Sequence, residues 1–156
     1  MATATIDSEA AAAADVVKRL VATGQAELDA IERAAAEAKA RKTAEDRAKR
    51  AVVLREIKAA IVANGQVPAE LFPFMRPNGL EDDGRHNGYV TITVGLPGYG
   101  EGVYVSFNVN QSATPGQWYV KAEWIARRGR GGTIGYPTFA QAVAAEVAEA
   151  TNEIPL

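Results

Sequence analysis

Tyr89-Val-Thr-Ile-Thr-Val94 places an apolar residue at every second position, and two later stretches repeat the pattern. They are Val103-Tyr-Val-Ser-Phe-Asn-Val109 and Trp118-Tyr-Val-Lys-Ala-Glu-Trp-Ile-Ala126. A period of two is that of a strand with one buried and one wet face. Val90, Ile92 and Val94 share a face, as do Val103, Val105, Phe107 and Val109; Trp118, Val120, Ala122 and Trp124 form the third set. The joins, Gly95 to Gly102 and Asn110 to Gly116, are rich in Gly, Pro and Asn and too short for crossovers. The expectation is therefore hairpins and antiparallel order.

Beyond the third strand, Arg127-Arg-Gly-Arg-Gly-Gly132 reads as a loop into a short strand at Thr133 to Tyr136. Thr138-Phe-Ala-Gln141 is a capping box, with the threonine at N-cap and the glutamine at N3 of a final helix. Phe139, Val143 and Val147 give that helix one stripe, flanked by Ala140, Ala144 and Ala150, suited to covering the apolar sheet face.

The chain before the strands has a different composition. All eleven aromatic residues, and all but two of the fourteen glycines, lie beyond position 71. Pro68 to Met75 reads as a connector with a short helical turn that buries Leu71, Phe72 and Phe74, and Arg76 to Gly88 as a polar loop. From Gln25 to Ala63 there is neither Gly nor Pro, and the residues are mainly the best helix formers. Such a helix would be about 57 Å long, more than the rest of the chain can cover. Asn64-Gly65 and Pro68 end it. Its stripe opens with Leu28 and Ile31, thins to Ala34, Ala35, Ala38, Ala44, Ala48 and Ala51, and closes with Val53, Leu54, Ile57 and Ile61. The segment Val53 to Ile61 is expected to dock on the C-terminal domain. An earlier helix, capped at Asp7 or Ser8, carries Val16, Val17, Leu20 and Val21, and Thr23-Gly24 reads as its stop or a kink.

The fold expected is α+β: a helical arm of one or two helices, then a three- or four-stranded antiparallel sheet covered by a C-terminal helix. Residues 1–66 form the arm and 67–156 the compact domain.

The chain has no cysteine, which excludes disulfides, thiolate metal sites and cysteine nucleophiles. The N-terminus lacks the features of a secretory signal and no apolar run approaches a membrane span, so a cytoplasmic protein without membrane contact is expected. The net charge is −2, but it is polarised. Residues 1–38 carry seven acids against three bases, and residues 39–58 carry eight bases against three acids. Arg41, Lys42, Lys49 and Arg50 are candidate phosphate contacts.

No catalytic pattern emerges. The one histidine, His86, lies near Glu81, Asp82 and Asp83 in a turn-rich loop without calcium-loop spacing, and reads as a solvated turn. Gly98-Tyr-Gly-Glu-Gly102 joins two strands rather than opening a helix, so it cannot cradle a phosphate with a helix dipole. No enzyme activity, cofactor or metal is expected. The wet face of the sheet carries Tyr89, Tyr104 and Tyr119 with Lys121, and Arg127, Arg128 and Arg130 follow. Tyrosine and arginine at this density suit a protein partner. The functional expectation is a non-enzymatic interaction module, such as a small intracellular regulator, assembly factor or phage-encoded protein, that self-associates through its arm. The alternative is a nucleic-acid-binding protein that contacts phosphates through helix 39–58 and the Arg127–Arg130 loop.

Overall fold

The computed structural model describes residues 2–128 and 132–152, and side chains over 5–126 and 133–151. In chain order it contains helix α1 (Ala2–Asn64), a 3-10 turn (Ala69–Phe74), strands β1 (Met75–Asn78), β2 (Tyr89–Gly95), β3 (Tyr104–Gln111), β4 (Trp118–Arg128) and β5 (Gly132–Tyr136), and helix α2 (Phe139–Asn152). The class is α+β, as expected. The sheet has five strands rather than three or four, in the order β1-β2-β3-β4-β5 with every neighbouring pair antiparallel.

The extra strand is β1, which falls where the sequence reads as connector and loop. It pairs Arg76 with Thr93 and Asn78 with Thr91. Pro77 has no N–H to give a ladder, and β1 tolerates it because it is an edge strand. Gly24 neither stops nor kinks α1, which is one helix through this position. One glycine costs a helix about 1 kcal/mol relative to alanine, and the strong formers on both sides outweigh that.

Packing divides the chain into two units, Met1–Ala44 and Glu45–Leu156. The described residues of the first are helix alone, and over 5–44 they are exposed except Gly24, which is half-exposed.

The second unit holds the hydrophobic core. Phe107 and Trp124 are fully buried with ring centroids 4.7 Å apart, and Trp124 meets Phe139 of α2 at 5.4 Å. The docking segment of α1 behaves as expected, with Ile57 and Ile61 each 2% exposed. Burying an aliphatic side chain of this size contributes about 1.5–3 kcal/mol. Gly65, at φ 74°, ends α1 by donating its N–H to the Ile61 carbonyl at 3.2 Å. The Gln66 side chain then accepts the Phe139 N–H at 2.8 Å, and Thr138 Oγ1 accepts the Gln141 N–H at 3.2 Å, so α2 starts with two of its free amides satisfied.

Three expectations need correcting. Phe74 is 44% exposed, because it closes the 3-10 turn on its solvent side, whereas Leu71 and Phe72 pack partly against the core. The buried stripe of α2 is rotated: Ala142 and Glu146 are buried with Phe139, Val143 and Val147 are half-buried, and Ala140 and Ala144 face solvent. Ala142, at the centre of that contact, is fully enclosed. Ala122 is exposed because the β3–β4 ladder is interrupted. Phe107 pairs with Trp124 and Val109 with Val120, so three residues of β4 lie opposite the single residue Asn108. The offset of two keeps the alternation in phase, and Trp118, Trp124 and Ala126 all remain buried.

Candidate interaction surfaces

Two surfaces stand out, one in each unit. The first is the helix over residues 5–44. Its exposed side chains include Ile6, Val16, Val17, Leu20, Val21, Leu28 and Ile31, at 44% to 66% exposure. Val16 and Val17 stand three or four residues before Leu20 and Val21, Leu28 stands three before Ile31, and all seven fall within about 140° of one side of the helix, making one apolar stripe. Val and Ile are poorer helix formers than Ala, so helix propensity does not account for them.

The second is the face of the sheet turned away from the core. Across β2, β3 and β4 the register sets Tyr89 opposite Asn110 and Asn110 opposite Tyr119. Both tyrosines are about half exposed, at 49% and 52%, with the half-buried Asn110 between them. Asn110 Oδ1 is buried without a hydrogen-bond partner among the described residues. The adjoining rows are hydroxyl and amide: Thr91 Oγ1 donates to Asn108 Oδ1 at 2.7 Å, and Asn78 Nδ2 donates to Thr93 Oγ1 at 3.1 Å. A further row runs Arg76, Thr93, Ser106, Ile125 and Gly135 across all five strands. Tyr104 lies at the other end of β3, half-buried.

The interrupted ladder changes how β4 presents its charges. Lys121 and Glu123 are both exposed and lie 3.6 Å apart as an ion pair. Arg127 and Arg128 belong to β4 rather than to a loop, though their side chains lie outside the described residues, and Arg130 lies wholly outside them. Arg76 is a member of this face that the alternation did not point to, because β1 is four residues long and contains a proline.

The phosphate candidates differ among themselves. Arg41, Lys42 and Lys49 are exposed and have no ion pair among the described residues. Arg50 is half-buried, with Nε enclosed and without a hydrogen-bond partner among the described residues. The loop between β1 and β2 packs there. Gly84 is buried at φ 84°, and a Cβ on it would stand 3.2 Å from the backbone of Lys49 and Arg50. Asp83 holds this loop together by accepting the Arg85 backbone N–H at 3.2 Å and pairing with the Arg85 guanidinium at 2.6 Å. The Arg85 backbone hydrogen bond, with help from the Arg85 charge, holds the Asp83 carboxyl below its ordinary value; desolvation opposes the shift.

His86 lies in a turn-rich and largely exposed loop, as expected, but its ring is half-buried. Its ring meets Trp118 edge-on at 4.7 Å, and its Nδ1 accepts the Gly88 N–H at 3.0 Å. Trp118 Nε1 in turn donates to Glu56 Oε2 at 3.1 Å, which links loop, sheet and helix. Among the described residues, no three His, Cys, Asp or Glu side chains are grouped so as to hold a metal ion. An apolar groove of about 530 Å³ lies between the end of α1 and β1, lined chiefly by Leu54, Ile61, Phe72, Met75 and Ile92. Lys58 sits at its rim, 5.9 Å from the Phe72 ring centroid. No helix among the described residues is long and apolar enough to cross a membrane. No protein-family model, curated protein or solved structure gives a significant match to this chain.

Proposed function

We propose that this chain is a non-enzymatic interaction module whose N-terminal helix associates with a helical partner and whose tyrosine-bearing sheet face receives a protein. The observation that carries the reading is the helix over residues 5–44, which leaves seven large aliphatic side chains open to water. An aliphatic residue that size contributes about 1.5–3 kcal/mol when fully buried, so a helical partner seated on the stripe gains several such contributions together. The Tyr89, Asn110, Tyr119 row supports the second half of the reading: two half-exposed aromatic rings with polar tips beside hydroxyl and amide rows give contact area at low entropic cost.

The test is sedimentation velocity on the intact chain and on a Leu20→Asp, Leu28→Asp variant. The intact chain is expected to associate in the micromolar range, and the variant to sediment as a monomer with its aromatic signals unchanged. A second reading, phosphate binding, is favoured by the exposure of Arg41, Lys42 and Lys49, which have no ion pair among the described residues. Fluorescence anisotropy with labelled oligonucleotides at about 50 and 200 mM salt separates the two, because phosphate binding weakens steeply across that range.

A further inference from the structure

We infer that the helical partner is a second copy of this chain, paired antiparallel and centred on Gly24. The inference rests on the reading of residues 5–44 as an association element and adds the identity and register of the occupant.

Four levels of the stripe are palindromic in spacing. Counted from Gly24, they lie 4, 7, 11 and 14 residues away in both directions: Leu20 and Leu28, Val17 and Ile31, Ala13 and Ala35, Ala10 and Ala38. A two-fold axis through Gly24 therefore brings large residues onto large at the two inner levels and alanine onto alanine at the two outer ones, while Ile6, Val16 and Val21 fall level with Lys42, Glu32 and Glu27. The spacing runs three-four up to Gly24 and four-three beyond it, so the repeat reverses its phase at the centre. An antiparallel partner runs in reverse and meets that change in step.

Charge follows the same symmetry. Reflection through Gly24 carries Asp7 onto Arg41, Glu9 onto Lys39, Asp15 onto Arg33 and Arg19 onto Asp29, and every one of these pairs is opposite in sign. At 100° per residue, Asp7 and Lys39 flank the stripe on one side, and Glu9 and Arg41 flank it on the other. The flanks of an antiparallel pair face their own kind, so the acidic ends of each copy meet the basic ends of the other. Asp15, Arg33, Arg19 and Asp29 lie on the far side of the helix and act only at longer range. A parallel pair would set Asp7 and Glu9 against themselves, and Lys39 and Arg41 likewise.

Gly24 supplies a separate observation. It has no positive φ, and a Cβ built on it meets nothing within 4 Å. Nothing among the described residues calls for glycine in the interior of this helix, where it weakens the helix relative to alanine. At a two-fold axis, with Leu20 and Leu28 packed on either side, a residue without a side chain lets the two backbones approach closely.

The absence of cysteine lets single labels be introduced without background. Nitroxides at Ala11→Cys, Gln25→Cys and Ala36→Cys in the full chain, read by pulsed dipolar spectroscopy, give the register. At 1.5 Å per residue, the antiparallel pair places the two labels about 40 Å apart at Ala11 and about 36 Å apart at Ala36, and under about 20 Å at Gln25. Distances under about 20 Å at all three sites would mean a parallel pair, overturning the register while leaving self-association standing. No dipolar signal at any site, with the chain sedimenting as a monomer at about 100 µM, would overturn self-association as well. Charge reversal supplies a second readout: Asp7→Lys with Glu9→Lys is expected to weaken association about tenfold, and adding Lys39→Glu with Arg41→Glu to restore it. Failure of the restoring pair would also count against the register.

Discussion

Gly84→Ala puts a number on the loop that rests on α1. Two effects add at this position. The φ of 84° lies in the left-handed region, where a residue with a Cβ is strained by about 1–2 kcal/mol. The new Cβ would also stand 3.2 Å from Lys49 C and O and from Arg50 N. Helix backbone cannot swing aside as a flexible side chain can, so the loop itself must lift, at a cost of about 1–3 kcal/mol typical of overpacking. Gly79→Ala is the internal control, because Gly79 has φ 83° with nothing within 4 Å of its would-be Cβ. It carries the strain without the contact. A domain of about a hundred residues loses roughly 4–8 °C in Tm per kcal/mol, so Gly84→Ala should melt at least about 4 °C below Gly79→Ala. The assay is near-ultraviolet circular dichroism during heating. Every aromatic residue lies beyond position 71, so this signal reports on the second unit and not on the helix of the first. Equal melting of the two variants would show that the loop does not rest on the helix backbone.

Three further outcomes follow from the geometry. Trp118→Phe keeps a ring against His86 but removes the donor to Glu56, and should cost about 1–2 kcal/mol; a double-mutant cycle with Glu56→Ala should show the two effects to be less than additive. The Asp83 carboxyl titrates below its ordinary value of 3.8, so its contribution is fully present above that pH and is lost as pH falls through the lowered value. The stability difference between the parent and Asp83→Asn, followed by denaturant titration from pH 7 to pH 3, should therefore shrink at the acid end; a gap that widens there would reverse the sign. Tyr89→Ala and Tyr119→Ala remove half-exposed rings and should each shift stability by only about 0.5 kcal/mol, whereas Ile57→Asp should unfold the second unit, both readable in the same thermal assay.

Period-two alternation in β2, β3 and β4 was legible because each strand buries one face against helices and leaves the other in water. β1 was not, since four residues containing a proline give too few alternations, and Arg76 was missed with it. The break in the β3–β4 ladder leaves no trace in the sequence, because an offset of two preserves the alternation and Ala122 still falls in phase with the tryptophans. Gly24 misled for a physical reason: local chemistry marks glycine as a breaker, but its cost is small against the strong helix formers around it. Gly84 reads as one turn glycine among several, because its contact is with a helix more than thirty residues earlier in the chain. Of the candidate surface, the outward tyrosines were legible from parity, and Tyr89 and Tyr119 fall in one row because the β2–β3 and β3–β4 registers both pass through Asn110.

On the proposed reading, another molecule covers the apolar stripe of residues 5–44. Hydrogen–deuterium exchange of the intact chain at about 1 and about 100 µM reads that cover amide by amide. Amide protection over residues 5–44 should rise with concentration, most strongly around Leu20, Gly24 and Leu28, while protection of Ile57, Ile61 and the sheet stays constant. Protection over 5–44 that is the same at both concentrations would mean that this chain does not cover its own stripe, and would contradict the account of the helix as a self-associating element.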